Sequence, residues 1–314
     1  FTDVKVPVEN LVGEENKGLA CMFTMMNSAR LYVGVQGLGV AEAATQKALA
    51  YAKDRRQGRS RDGGEGMVPI IQHPDVRRML MTMKALTAAA RAICYSCAFA
   101  IDMSHAEDGA EATRWADRAS LLTPMAKSFS TDIGVEVASI GIQVHGGMGF
   151  IEETGAARLL RDARIAPIYE GTNGIQAMDL VMRKLPLAGG EAVDALLAEI
   201  EADIDAVETA NRPGIAPMAE GLREALDDLR DATAFLRQAG VDDALAGATA
   251  YQRLFSLVLG GSLMARAALR AEEGTGHDAL ARFMVADILP ETGGLKRKVK
   301  ATGRALESVD AALA

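Results

Sequence analysis

The chain has 314 residues, of which 49% are hydrophobic, 24% charged and only 4% aromatic. That balance describes a globular protein whose core is rich in Ala, Leu and Met, and so is built from helices rather than from aromatic-rich strands. The length admits one large or two modest domains, and a formal net charge of −8 argues against a general nucleic-acid or anionic-membrane surface.

Phe1 to about Gly13 alternates Val4, Val6 and Val8 with polar residues and includes Pro7, which predicts an edge strand followed by a turn. The chain opens there without a Met and reads as a piece of a longer polypeptide. No signal peptide is visible, and no uninterrupted apolar run looks long enough to span a bilayer. Gly18 to about Gln57 repeats apolar residues at helical steps and predicts a first long helix. Gly34, Gly37 and Gly39 inside it point to close approach of another helix. Arg30 stands among apolar neighbours, and pattern alone favours a side chain that snorkels to the surface. The basic cluster Asp54-Arg55-Arg56-Gln57-Gly58-Arg59 suits a helix C-terminus, and Arg equally suits a pyrophosphate. A Gly-rich loop through Gly66 follows.

Pro74 opens a second helix, reaching about Ser104, with His73 at its entry. Cys94 and Cys97 have redox spacing, yet they sit in an Ala-rich helical pattern with no βαβ context, which favours buried helix-face thiols. Three Cys in all suggest a reduced, cytoplasmic protein, and four scattered His give no metal site. A third helix runs to about Val144, with Pro124 expected to bend or restart it. A short helix over about 153–163 carries Arg158, Arg161 and Asp162, expected to pair and hold the next loop. Another helix covers about 174–185. Leu185 to Gly190 is the best linker candidate. Further helices are predicted over about 191–211, 216–240, 243–272 and 277–289, with a last one over about 295–313.

Two glycine-marked breaks interrupt this helical pattern: His145-Gly146-Gly147-Met148-Gly149-Phe150 and Tyr169-Glu170-Gly171-Thr172-Asn173-Gly174. One reading is a pair of plain interhelical turns, with Glu170 at a helix start where its charge suits the dipole. The alternative is a base on one loop and a backbone anion site on the other. Composition alone favours the turns.

The order of residues favours the second. Gln143, Gly146, Gly147, Gly149 and Phe150 are followed at fixed steps by Glu153, Arg158, Asp162 and then Ile168-Tyr169-Glu170-Gly171-Thr172. This series resembles the C-terminal signature of the acyl-CoA dehydrogenase family. The resemblance covers residues 1 to about 185, and the remainder is similar to the helical tail of one subgroup. It implies an all-α fold: an up-and-down four-helix bundle over 17–186, a second helical domain over 191–314, and a short N-terminal strand over 1–16 left from a β-domain. It also implies FAD-dependent α,β-dehydrogenation of an acyl-CoA thioester to the trans-2-enoyl-CoA, with Glu170 as the α-proton base and hydride passing to flavin N5. A carboxylate needs a water-poor setting for that task, and Ile165, Ile168 and Tyr169 are the apolar neighbours expected to provide it. Arg30, Asn27, Tyr169 and Gly171 match substrate-binding positions, although Asn27 replaces the more usual Asp. Thr172, Asn173 and Gly174 match positions that contact FAD, as does His73. Arg55 and the loop of Gln143, Val144, His145, Gly146 and Gly147 match groups that reach a neighbouring subunit's FAD. The Phe-Gly-x-Pro that commonly follows the Arg is missing here. The implied partners are an electron-transfer flavoprotein and further copies, as a homodimer or homotetramer, with no nucleic acid or membrane. The chain alone is expected to be an inactive fragment. A flavin oxidase or monooxygenase on the same scaffold, and a non-catalytic helical oligomerisation module, stay open as alternatives.

Overall fold

The structure is a computed structural model that describes residues 1–60, 66–212, 214–306 and 309–314, with Thr24 and Ala311 described by their backbone alone. The centre of the Gly-rich loop before Gly66, and Pro213 in the 211–214 break, lie outside the described residues.

Helix α1 spans Gly18–Asp54 and gives way at Arg55, which is extended. Two short strands follow, β1 at Arg56–Arg59 and β2 at Met67–Pro69, paired antiparallel. The sequence pattern hid this hairpin because β1 is entirely polar or glycine and exposed on both faces, so it shows no alternation. Helix α2 spans Pro74–Ala106, with Pro74 in its first turn and His73 extended before it. Helix α3 spans Gly109–His145 and stops at Gly146, whose φ of +60° a side chain would disfavour. Pro124 neither ends nor restarts α3, and its buried carbonyl accepts from Gln252 Nε2 at 2.9 Å.

Helices α1 and α3 run parallel, with α2 antiparallel to both. Cβ atoms added at Gly34 and Gly37 would lie 2.4 Å from the Ala126 carbonyl oxygen and 2.6 Å from that of Ser130. The crossing therefore depends on missing side chains. Gly39, expected to share that role, faces open space instead.

After α3 come the single turn α4 (Gly147–Phe150), α5 (Ala156–Ala163) and α6 (Asn173–Asp179), which continues as a π-helical stretch, Leu180–Lys184. Together α6 and this stretch close the bundle against α3. The expected linker is a tight turn, Leu187–Gly190, with Leu185 and Gly190 both buried. Beyond it lie α7 (Glu191–Glu208), α8 (Met218–Gln238), α9 (Val241–Arg270), α10 (Gly276–Phe283, extended by a π-helical stretch to Ile288), α11 (Glu291–Leu306) and α12 (Val309–Leu313). Helix α9 packs on α2, α3 and α6 as well as on its own neighbours, so one apolar core runs through the whole assembly.

Two further expectations need correction. Residues 1–13 form no strand: they hold one 3-10 turn at Val8–Asn10 and are exposed throughout. A strand needs a ladder partner, and the alternating valines find none among the described residues. Helix α2 is also long and apolar enough, by length and composition, to cross a membrane. Its Leu80, Met83, Leu86, Ile93 and Cys97 are instead buried in the bundle core, which accounts for the apolar run.

Candidate active site

The chain from Arg164 to Thr172 is a string of tight turns, with Tyr169 N–H donating to the Ile165 carbonyl and Asn173 N–H to that of Pro167. Glu170 ends the string with φ +57°, followed by Gly171 at +82°. Glycine adopts this region freely, whereas Glu does so at a cost. Helix α6 then starts cleanly, because Thr172 Oγ1 accepts from the Ile175 N–H at 3.2 Å. Glu170 is half-buried.

The turn lies on the middle of α3. Lys127, fully buried, donates from Nζ to the Gly171 carbonyl at 2.9 Å and to Asn173 Oδ1 at 2.8 Å. Asn173 Nδ2 donates to the Ser128 carbonyl, to Thr131 Oγ1 at 2.9 Å and to Asp132 Oδ1 at 2.7 Å. Burial pushes the Lys127 ammonium down to about 8; Asp132 and Glu170 oppose this, while Arg30 adds to it. Lys127 was missed by sequence reading. The available signal was a lone Lys in the run Leu121 to Thr131, otherwise apolar, hydroxyl-bearing or small.

Arg30 does not snorkel. It is buried beside Gly171, with its guanidinium 3.9 Å from the buried Asp179 carboxylate. Its Nε and both amide atoms of the fully buried Gln176 have no hydrogen-bond partner among the described residues. An unsatisfied buried group costs about 1–3 kcal/mol, so this floor beneath the turn keeps unused polar capacity. Asn27, one turn earlier on α1, is exposed. Tyr169 reaches the other way, its hydroxyl donating to Gln36 Oε1 on α1.

The apolar shield is only partly present. Tyr169 is half-buried, but Ile165 and Ile168 are 50% and 53% exposed, so this chain alone does not exclude water from Glu170. The short charged helix does not brace the loop either: Arg161 pairs with Glu152, and Arg158 lies 4.0 Å from Asp162, all on the surface.

The remaining expected residues form a second group at the far end of the bundle. Arg55, exposed, caps α1, and its carbonyl accepts from the Ile70 N–H. His73 Nε2 lies 2.7 Å from the Gln57 carbonyl oxygen. At the end of α3, Val144 and His145 are buried; His145 stacks on Tyr51 at 4.4 Å, and its Nδ1 lies 2.6 Å from the Gly141 carbonyl oxygen. Gln143, Gly146 and Gly147 are exposed, and Cβ atoms added at either glycine would meet nothing. Sixteen residues of α3, roughly 24 Å, separate Lys127 from Gln143. One chain therefore does not bring the Glu170 group and the Arg55 group together.

The family model for the acyl-CoA dehydrogenase C-terminal domain matches residues 16–185. The chain belongs to the acyl-CoA dehydrogenase family. A second model, "Acetyl-CoA dehydrogenase C-terminal like", matches residues 196–310. The chain is 45% identical over 291 residues to the 3-methylmercaptopropionyl-CoA dehydrogenase of Ruegeria pomeroyi, covering 88% of this chain and 48% of that protein. It is 34% identical over 306 residues to a butyryl-CoA dehydrogenase of Syntrophomonas wolfei, covering 92% and 50%. The chain thus spans about half the length of these relatives. A shorter match, 35% identity over 176 residues (56% of this chain and 41% of that protein), is to subunit CarC of the caffeyl-CoA reductase–Etf complex of Acetobacterium woodii. Two solved structures share the fold at 21% identity. Caenorhabditis elegans ACDH-11 in complex with C11-CoA has TM-score 0.74, covering 88% of this chain and 45% of that one. The Bacillus anthracis acyl-CoA dehydrogenase complexed with FAD has TM-score 0.71, covering 96% and 52%.

Proposed function

We propose that this chain is the helical half of an FAD-dependent acyl-CoA dehydrogenase, with Glu170 as the base that takes the α-proton of an acyl-CoA thioester. The observation that carries this is the setting of Glu170: a single carboxylate on a left-handed turn that two side-chain anchors hold against α3, within the family's ordered signature. Bound FAD would supply the hydride acceptor for the β-hydrogen. The chain's own residues suit the diphosphate end of that group: the exposed Arg55 guanidinium offers a forked donor, and Gly146-Gly147 leave open space for close backbone approach. The exposed Thr172 and Gly174, with the half-buried Asn173 between them, would add contacts from the base's side. The roughly 24 Å between the two groups supports the assignment of the Arg55 group to a neighbouring copy's FAD, and with it a homodimer or homotetramer. Arg30, Asn27, Tyr169 and Gly171 are assigned to acyl-CoA. An electron-transfer flavoprotein as acceptor finds support in the CarC relative. The other half of the polypeptide would complete the cover over Ile165 and Ile168, so the chain alone is inactive on this reading.

The test is Glu170→Gln in the FAD-loaded full-length protein. The amide is nearly isosteric but cannot accept the proton, so FAD content and acyl-CoA binding should persist while flavin reduction falls by about 10³-fold or more. Reduction within about tenfold of wild type, some 1.4 kcal/mol of barrier, would overturn the assignment.

A further inference from the structure

A buried ammonium is costly unless its protons find partners, and a long apolar side chain could occupy the Lys127 site without that cost. The partners Lys127 has chosen are informative. The two it contacts directly are neutral oxygens, and both belong to the turn that carries Glu170: the carbonyl of the very next residue, Gly171, and the side chain of Asn173. Asn173 is in turn held by Ser128, Thr131 and Asp132, so the turn is pinned to one face of α3 through adjacent anchors. Glu170 and Gly171 both sit at positive φ, and a glutamate does not keep that conformation by preference.

We propose that Lys127 is a positioning residue for the base: by holding the Gly171 carbonyl and the Asn173 amide, it keeps Glu170 in its left-handed conformation and its carboxylate in one place. Lys127 itself takes no proton from substrate in this scheme. The inference rests on the assignment of Glu170 as base. It also explains a buried cation that close packing alone would not require, since replacement of a buried charge by a well-packed apolar side chain is often neutral or stabilising.

The test is Lys127→Met in the full-length, FAD-loaded protein. Amide exchange across residues 168–176 should quicken at least about tenfold, while peptides from α2 and α9 keep their protection. Flavin reduction at saturating acyl-CoA should fall by roughly 30- to 300-fold, with the half-saturating concentration changed less than about threefold, because misplacing a catalytic group by an ångström costs on the order of 10² in rate. Thr131→Val, which removes one oxygen from the Asn173 shell at constant volume, is the second variant. It should show the same loop exchange change with a smaller loss of rate, and it decides the matter if Lys127→Met does not fold. Unchanged exchange over 168–176, reduction within about threefold of wild type in a folded Lys127→Met protein, or unfolding of both variants would each overturn the proposal. Glu170→Gln, run alongside, separates the two ideas. If it still reduces flavin, the base assignment fails, whereas loop exchange in Lys127→Met reports the anchoring independently of which residue is the base.

Discussion

Glu170 at φ +57° carries backbone strain of about 1–3 kcal/mol, which persists only where surrounding contacts impose it. Those contacts come from α3, in Lys127, Ser128, Thr131 and Asp132, none of which the sequence singled out. Lys127 and Arg30 look alike in the sequence, each a lone cation among apolar residues, and long cations usually snorkel. What separates them from that fate is a partner distant in the chain: Gly171 and Asn173 for Lys127, Asp179 for Arg30. Local pattern cannot reveal such pairs. Glycines at Gly146 and Gly171 were legible because positive φ restricts residue type, and the break in the helical pattern at Glu170 was legible through the glycines that mark it. The thiols were legible too. Cys94 and Cys97 face Ser130 and Thr123 inside the bundle, and burial pushes both up to about 11. Near neutral pH they remain protonated, and no reagent reaches them while the fold is intact. Only the exposed Cys21 should react with a thiol reagent in the native chain, one equivalent rising to three in denaturant. Two fast-reacting thiols in the native state would contradict their burial.

At the scale of elements, helix extents followed from apolar periodicity and from the Pro and Gly residues that bound them, so the long segments agree with expectation to within a few residues at each end. The misses share one cause. The β1–β2 hairpin, the unpaired N-terminal valines and the π-helical stretches after α6 and α10 depend on what lies beside them rather than on their own periodicity. The α1–α3 crossing shows how far a sequence signal can go. Three glycines in α1 suggested a close approach, but only Gly34 and Gly37 face α3, where Gly134 reciprocates with an added Cβ only 2.8 Å from the Gly37 carbonyl oxygen. Gly37→Ala would press a methyl into the α3 backbone, which cannot step aside as a side chain end would. It should cost roughly 3 kcal/mol or more. Gly39→Ala meets nothing and should gain up to about 1 kcal/mol from helix propensity. Urea unfolding of the two variants checks this pair. Equal stabilities would show that the helices can separate enough to admit a methyl.

For the whole molecule, the question is whether the tail from Glu191 onward is an ornament or part of the core. The charged residues give one answer. Glu199 on α7 joins Arg118 of α3 to Arg266 of α9, and Arg266 also pairs with Asp203. Arg253 of α9 binds Glu136 of α3 and Glu291 of α11. Partly exposed pairs of this kind contribute little each, so they orient the tail more than they hold it. The apolar contacts decide the energetics. Gly260 of α9 lets that helix come down on α2, where an added Cβ would lie 2.8 Å from that of Ala89, and Gln252 supplies the donor for the buried Pro124 carbonyl. Leu180, Val181 and Leu185 are buried in the same core as Leu254, Leu257 and Val258. Each such side chain uncovered forfeits about 1.5–3 kcal/mol, so losing even five approaches the whole stability of a typical domain. A chain stopped at Gly190 should therefore keep much of its helix content but lose its fixed side-chain arrangement. The expected signs are retained far-UV circular dichroism, a flattened near-UV spectrum, dye binding and no sharp melting transition. The 314-residue chain should melt cooperatively in the same buffer. A truncated chain with an equally sharp transition would show that the bundle closes without α9, and that the tail only docks on a finished domain.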